Sequence, residues 1–138
     1  MAEKPPVKLE LVWEHELVFG GRAGDIEVKL DSASADGPSP MQSLAFGFAG
    51  CMAMDVVHII KKGRHDFRGL KVDLTGQRAP EEPRRFTQMQ LHFTVTGDVP
   101  EEAVQRAIDL SREKYCSVWH SMRQDIELTT TFSVSPGV

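Results

Sequence analysis

Only two cysteines occur in this chain of 138 residues, Cys51 and Cys116, and its tyrosine count is one. Two cysteines cannot build the disulfide framework of a small secreted domain or a four-thiolate zinc site. The histidines at 15, 58, 65, 92 and 120 lack the short spacings of metal ligands, so no metal is expected. No stretch of consecutive basic residues is longer than two, and the net charge is −4 with a pI of about 5.7. That balance argues against nucleic acid or an anionic membrane as partner. The opening "MAEKPPVKLE" lacks the apolar stretch of a secretory signal, from which a cytoplasmic location with reduced thiols is expected. Internal repeats and low-complexity tracts are also missing, so residues 1–138 read as a single domain, long enough to bury its own core.

Long hydrophobic runs are scarce, with one exception from Met41 to Ile60. It has the length of a membrane span, but it contains Gln42, Ser43, Asp55 and His58. A mid-membrane Asp alone costs roughly 2.5–3.5 kcal/mol, so a helix inside a soluble protein is expected. Its start is well marked: Ser39 can cap, Pro40 suits the first helical position, and Gln42 completes a Ser-x-x-Gln capping box. Apolar or small residues at 41, 44, 45, 48, 51, 52, 56, 59 and 60 keep the helical period, and a second stripe at 46, 53 and 57 makes the helix apolar nearly all round. Lys61 and Lys62 suit its C-terminal dipole, and Gly63 suits its end.

Alternation marks the strands. Val7, Leu9, Leu11 and Trp13 form the first, and "ELVFGGRAGDIEVKLDS" reads as strand, Gly-rich turn, strand. After the helix, Leu70–Val72–Leu74 and Met89–Leu91–Phe93–Val95 alternate, a second helix runs from Asp98–Pro100–Glu101 to about Glu113, and "KYCSVWHSMRQD" bends into a short helix. Ile126, Leu128, Thr130, Phe132 and Val134 close the chain. The order βββ-α-ββ-α-α-β is an α+β pattern. So apolar a helix exceeds what one such domain can cover, which points to a second subunit.

Two readings compete for Cys51. Unpaired cysteine packs like a small hydrophobe, and on position alone that outweighs chemistry. As a nucleophile mid-helix it lacks a helix N-terminus and needs a cation from elsewhere. Cys116 lies in a break between helical segments, where it either packs at a turn or faces a cleft as a thiolate. Arg22, in "GGRAG", is either an exposed hairpin arginine or that cation. Asp55, one turn after Cys51, either orients a cation or bonds a neighbouring backbone group.

The segments "SPMQSLAFGFAGCMAMDVVHIIKKGR" and "EKYCSV" resemble the OsmC/Ohr family of thiol-dependent hydroperoxide reductases, and the resemblance spans essentially the whole chain. It implies an OsmC-like fold, antiparallel sheets around a long central apolar helix, in an intertwined homodimer with active sites at the interface. It implies that Cys51 attacks organic hydroperoxides and becomes a sulfenic acid. Cys116 then forms a disulfide with it, and an external dithiol such as a lipoyl group reduces that bond, with no bound cofactor. Gly20, Gly21 and Arg22 match the family's "GGR", which implies that Arg22 favours the Cys51 thiolate. One departure stands out: family peroxidases carry a Glu after the helix-opening proline to hold this Arg, and here Met41 and then Gln42 follow Pro40. A Gln orients an Arg more weakly than a carboxylate does. The alternative reading therefore keeps the OsmC-like dimer but gives it a small hydrophobic or electrophilic ligand with little peroxidase turnover.

Overall fold

The computed structural model describes residues 3–136, whose contacts group into two compact units, 1–44 and 45–138, with the division inside the first helix. The first unit holds β1 (Glu10–His15), β2 (Val18–Ala23) and β3 (Ile26–Asp31) in one antiparallel sheet of order β1-β2-β3. The β2–β3 turn is two residues long and begins with Gly24 at φ +61°, a left-handed conformation that glycine adopts without steric cost. The Gly-rich turn therefore sits later than the sequence suggests. Gly20, Gly21 and Arg22 belong to β2, where Arg22 pairs in register with Glu27 of β3. Apolar side chains of this sheet lie open, with Trp13 62 % and Ile26 67 % exposed. After β3 the chain turns around the Asp31 carboxylate, which accepts the N–H groups of Ala33, Ala35 and Asp36. These bonds hold the Asp31 carboxyl below its usual pKa.

The helix α1 (Pro40–Lys62) opens with the anticipated capping box. The Gln42 N–H donates to Ser39 Oγ at 3.1 Å, and the Ser39 N–H donates back to Gln42 Oε1 at 2.9 Å. At its other end the Gly63 N–H bonds to the carbonyls of Ile59 and Ile60, but the left-handed residue is Arg64, at φ +64°. Along α1 the residues Phe48, Met52, Val56 and Ile60, four apart, are buried, while Phe46 is 72 % and Met54 74 % exposed. All-round apolarity predicts an enclosed helix; within one chain only this stripe is enclosed.

In the second unit β4 (Asp66–Arg78) and β5 (Phe86–Asp98) form a long antiparallel hairpin, and β6 (Glu127–Ser135) lies beside β5. The β5–β6 pairing is parallel, one departure in detail from the expected antiparallel sheets. The reason is topological: the chain crosses over through α2 (Glu101–Leu110) and two tight turns before re-entering the sheet, as parallel neighbours require. Met89, Leu91, Phe93 and Val95 are fully or almost fully buried, and register places Leu128, Thr130, Phe132 and Val134 beside them. Alternation in sequence thus becomes one continuous apolar sheet face. From α2, Val104, Ala107 and Ile108 join the buried set. Among the described residues the architecture is α+β, with two α-helices and two three-stranded sheets.

Candidate functional site

Cys51 lies on α1 one position before the buried Met52, so it sits at the edge of the enclosed stripe and is partly exposed. Cys116 follows α2 at the end of a single π-helical turn, Ser111–Tyr115, and is completely buried. Both are free thiols. They are neighbours: the Cys51 side chain acts directly on the Cys116 thiol. The sequence anticipates a break at this point, and its form is the π turn. The Cys116 N–H reaches back five residues to the Ser111 carbonyl at 2.8 Å and leaves the backbone extended at Cys116. Single π turns inside helices recur at functional sites.

Burial pushes the Cys116 thiol up from its ordinary 9.0 to about 12. The Trp119 N–H, donating to Sγ at 3.3 Å, opposes the shift, while Cys51 and the charge of Asp55 add to it. Trp119 opens a short 3-10 turn (Trp119–Ser121) and stacks on Phe48 of α1, ring centroids 5.4 Å apart. That aromatic pair ties the Cys116 segment to the stretch of α1 carrying Cys51.

Asp55, one turn beyond Cys51, orients no cation among the described residues. Its Oδ2 instead accepts the Ser111 hydroxyl at 2.8 Å. Ser111 is fully buried, and sequence reasoning misses it. The available signal is Asp55 itself, a carboxylate on an otherwise apolar helix that needs a partner wherever it is buried. Nothing in "LSREKYC" marks the serine as that partner.

The other candidates belong to the first unit. Arg22 bonds through its guanidinium to the Glu27 carboxylate across the β2–β3 pair, and both side chains are more than half exposed. The Gln42 carbonyl is occupied by the Ser39 N–H and by the Ser34 hydroxyl at 2.8 Å, so the capping box accounts for it. No cluster of three or more His, Cys, Asp or Glu side chains fit to hold a metal ion occurs among the described residues.

Along the outer side of α1 runs an open apolar groove. Phe46, Ala53, Met54 and Val57 face Phe67, Leu70 and Val72 of β4 across it.

Comparison with known proteins bears on the family and the fold. The sequence profile described as OsmC-like protein matches residues 32–131. Protein YhfA of Escherichia coli K12 is 43 % identical over 125 residues, covering 88 % of this chain and 93 % of YhfA. A hypothetical protein from Aquifex aeolicus superposes with a TM-score of 0.88 at 28 % identity, over 95 % of this chain and 97 % of that one. An organic hydroperoxide resistance protein OsmC from Legionella pneumophila shares the fold, with a TM-score of 0.71 at 13 % identity over 96 % and 100 % of the two chains. The chain belongs to the OsmC-like protein family.

Proposed function

We propose that the protein is a cytoplasmic, thiol-dependent peroxidase that reduces organic hydroperoxides, with Cys51 as nucleophile and Cys116 as resolving thiol. The observation that carries this reading is the pairing of two free thiols in unlike settings, one partly exposed and one buried beside it. The Cys51 thiolate attacks the terminal peroxide oxygen, the O–O bond breaks, and the alkoxide leaves and takes up a proton as the alcohol. Cys51 is then a sulfenic acid. The Cys116 sulfur displaces hydroxide from it, the S–S bond forms, and the thiol proton leaves with the hydroxide as water. An external dithiol restores both thiols by exchange. Burial withholds Cys116 from peroxide, and its proton has to leave as its sulfur attacks the sulfenic acid. In this reading Arg22 is the cation assigned to the Cys51 thiolate, and within its own sheet its partner is Glu27, not Gln42.

The working unit in this reading is a homodimer, with the α1 groove covered by a second copy. Supporting this, Phe46 and Met54 are about three-quarters exposed on the longest helix, next to an apolar groove. Neither nucleic acid nor a membrane is a partner of this dimer.

A second reading, a dimer that binds a small hydrophobic or electrophilic ligand with little turnover, is favoured by one observation. Arg22 is already neutralised by Glu27, and Gln42 has no carbonyl to spare for it. Dithiothreitol-dependent loss of cumene hydroperoxide separates the two. The peroxidase reading expects turnover that Cys51→Ser abolishes; wild-type consumption no faster than that of Cys51→Ser leaves only the binding reading.

A further inference from the structure

We infer that Ser111 is the positioning residue of the resolving thiol, acting through two hydrogen bonds that join the π turn to Asp55 of α1 and to Cys116 itself. The inference rests on the thiol peroxidase reading and names a residue for its second step.

The geometry is compact. Ser111 is fully buried and uses both of its polar ends. Its hydroxyl donates to Asp55 Oδ2 at 2.8 Å, and its carbonyl accepts the Cys116 N–H at 2.8 Å. Asp55 lies one helical turn from Cys51, and Cys116 is the residue at which the π turn ends. One serine therefore links a point on the helix of the first thiol to the backbone of the second.

A packing role alone would not require this arrangement. An apolar residue of similar size at 111 would fill the same space, but it would leave Asp55 without its hydrogen bond. A regular α-helical continuation would direct the residue-116 N–H to the carbonyl of residue 112 and turn the cysteine about the helix axis. The extra residue in the π turn sets where the Cys116 sulfur points. The disulfide step needs that sulfur in line with the S–O bond of the Cys51 sulfenic acid, and misplacing reacting atoms by about 1 Å can cost on the order of a hundredfold in rate. Formation of the sulfenic acid does not involve the π turn, so Ser111 leaves it untouched.

The test follows the two steps separately on the full chain. Sulfenic acid is trapped with dimedone in a Cys116→Ser background, and disulfide formation is followed by quenched thiol counting after one equivalent of cumene hydroperoxide. Ser111→Ala is expected to slow the disulfide step about tenfold or more, the scale of losing a hydrogen bond to a charged group, with unchanged dimedone trapping. Asp55→Ala should do the same. Asp55→Asn keeps an acceptor for the hydroxyl and should bring the disulfide rate back to within about threefold of wild type. Equal slowing of both steps, an unchanged disulfide rate in Ser111→Ala, or no rescue by Asp55→Asn would overturn the inference. If Ser111→Ala does not fold, the Asp55 pair decides in its place. A chain that yields no dimedone adduct in the Cys116→Ser background overturns the peroxidase reading instead, a different result from any of these.

Discussion

Two thiols of the same intrinsic chemistry part company in this protein because of where each is placed. Cys116 is buried against Trp119, and the loss of solvent holds its proton to about 12, whereas Cys51 stands at the edge of the buried stripe. Iodoacetamide at neutral pH is therefore expected to label Cys51 and to reach Cys116 only after denaturant is added, as peptide mapping would show. Labelling of both at similar rates in the native state would contradict this. The linkage has a definite sign. A thiol whose folded pKa is raised stabilises the fold fully below its unfolded value near 9, and that stability is lost as pH rises toward 12. The opposite sign holds at Asp31, whose carboxyl is held down by the Asp36 and Ala33 N–H groups. Its contribution is present above the ordinary Asp value and vanishes as pH falls through the depressed one. Melting curves should show Asp31→Ala less stable than wild type at neutral pH, with the gap closing in acid. Cys51 and Cys116 are legible in the sequence because cysteine is rare in it, but Ser111 is not. A serine looks the same in a turn as in a buried bond to a carboxylate 56 positions away.

Among the elements, α1 is the most legible. Its capping box and four-residue spacing are local properties, and both appear as read from the residues. Met52, fully buried in that stripe, is the clearest lever on it. Met52→Ala should cost about 2–5 kcal/mol in denaturant unfolding, and a cost below about 1 kcal/mol would mean the stripe is not core. The helix end differs in detail: Gly63 suits a stop, but Arg64 takes the left-handed conformation. Replacing Arg64 by glycine would relieve a steric penalty of about 1–2 kcal/mol, offset in part by greater freedom in the unfolded chain. Arg64→Gly is thus expected to leave the melting temperature level or slightly raised, and a clear drop would contradict this. The glycines at 20 and 21 mislead for a physical reason. Two adjacent glycines suit a turn, yet the residue with the left-handed φ is Gly24, and the pair continues β2. Parallel pairing of β6 is equally invisible in the sequence, since alternation gives a strand its faces but not its direction.

For the whole molecule the unanswered demand of the sequence is cover for α1. Phe46, Met54 and the groove against β4 remain open in one chain, as do Trp13 and Ile26 of the first sheet. If a second copy closes the groove, Phe46→Asp with Met54→Asp should convert a dimer into a monomer in sedimentation velocity. A wild-type chain that sediments as a monomer at micromolar concentration would rule the dimer out. The redox claim does not depend on that outcome, since the thiols, the π turn and the aromatic clasp all lie within residues 45–138. Its most direct test is the intact mass of the reduced protein after one equivalent of cumene hydroperoxide. The wild type is predicted to lose two hydrogens as the disulfide forms, Cys116→Ser to gain one oxygen, and Cys51→Ser to stay unchanged. An unmodified wild type, or oxygen retained on Cys116 in Cys51→Ser, would contradict the assignment of Cys51 as nucleophile and Cys116 as resolver.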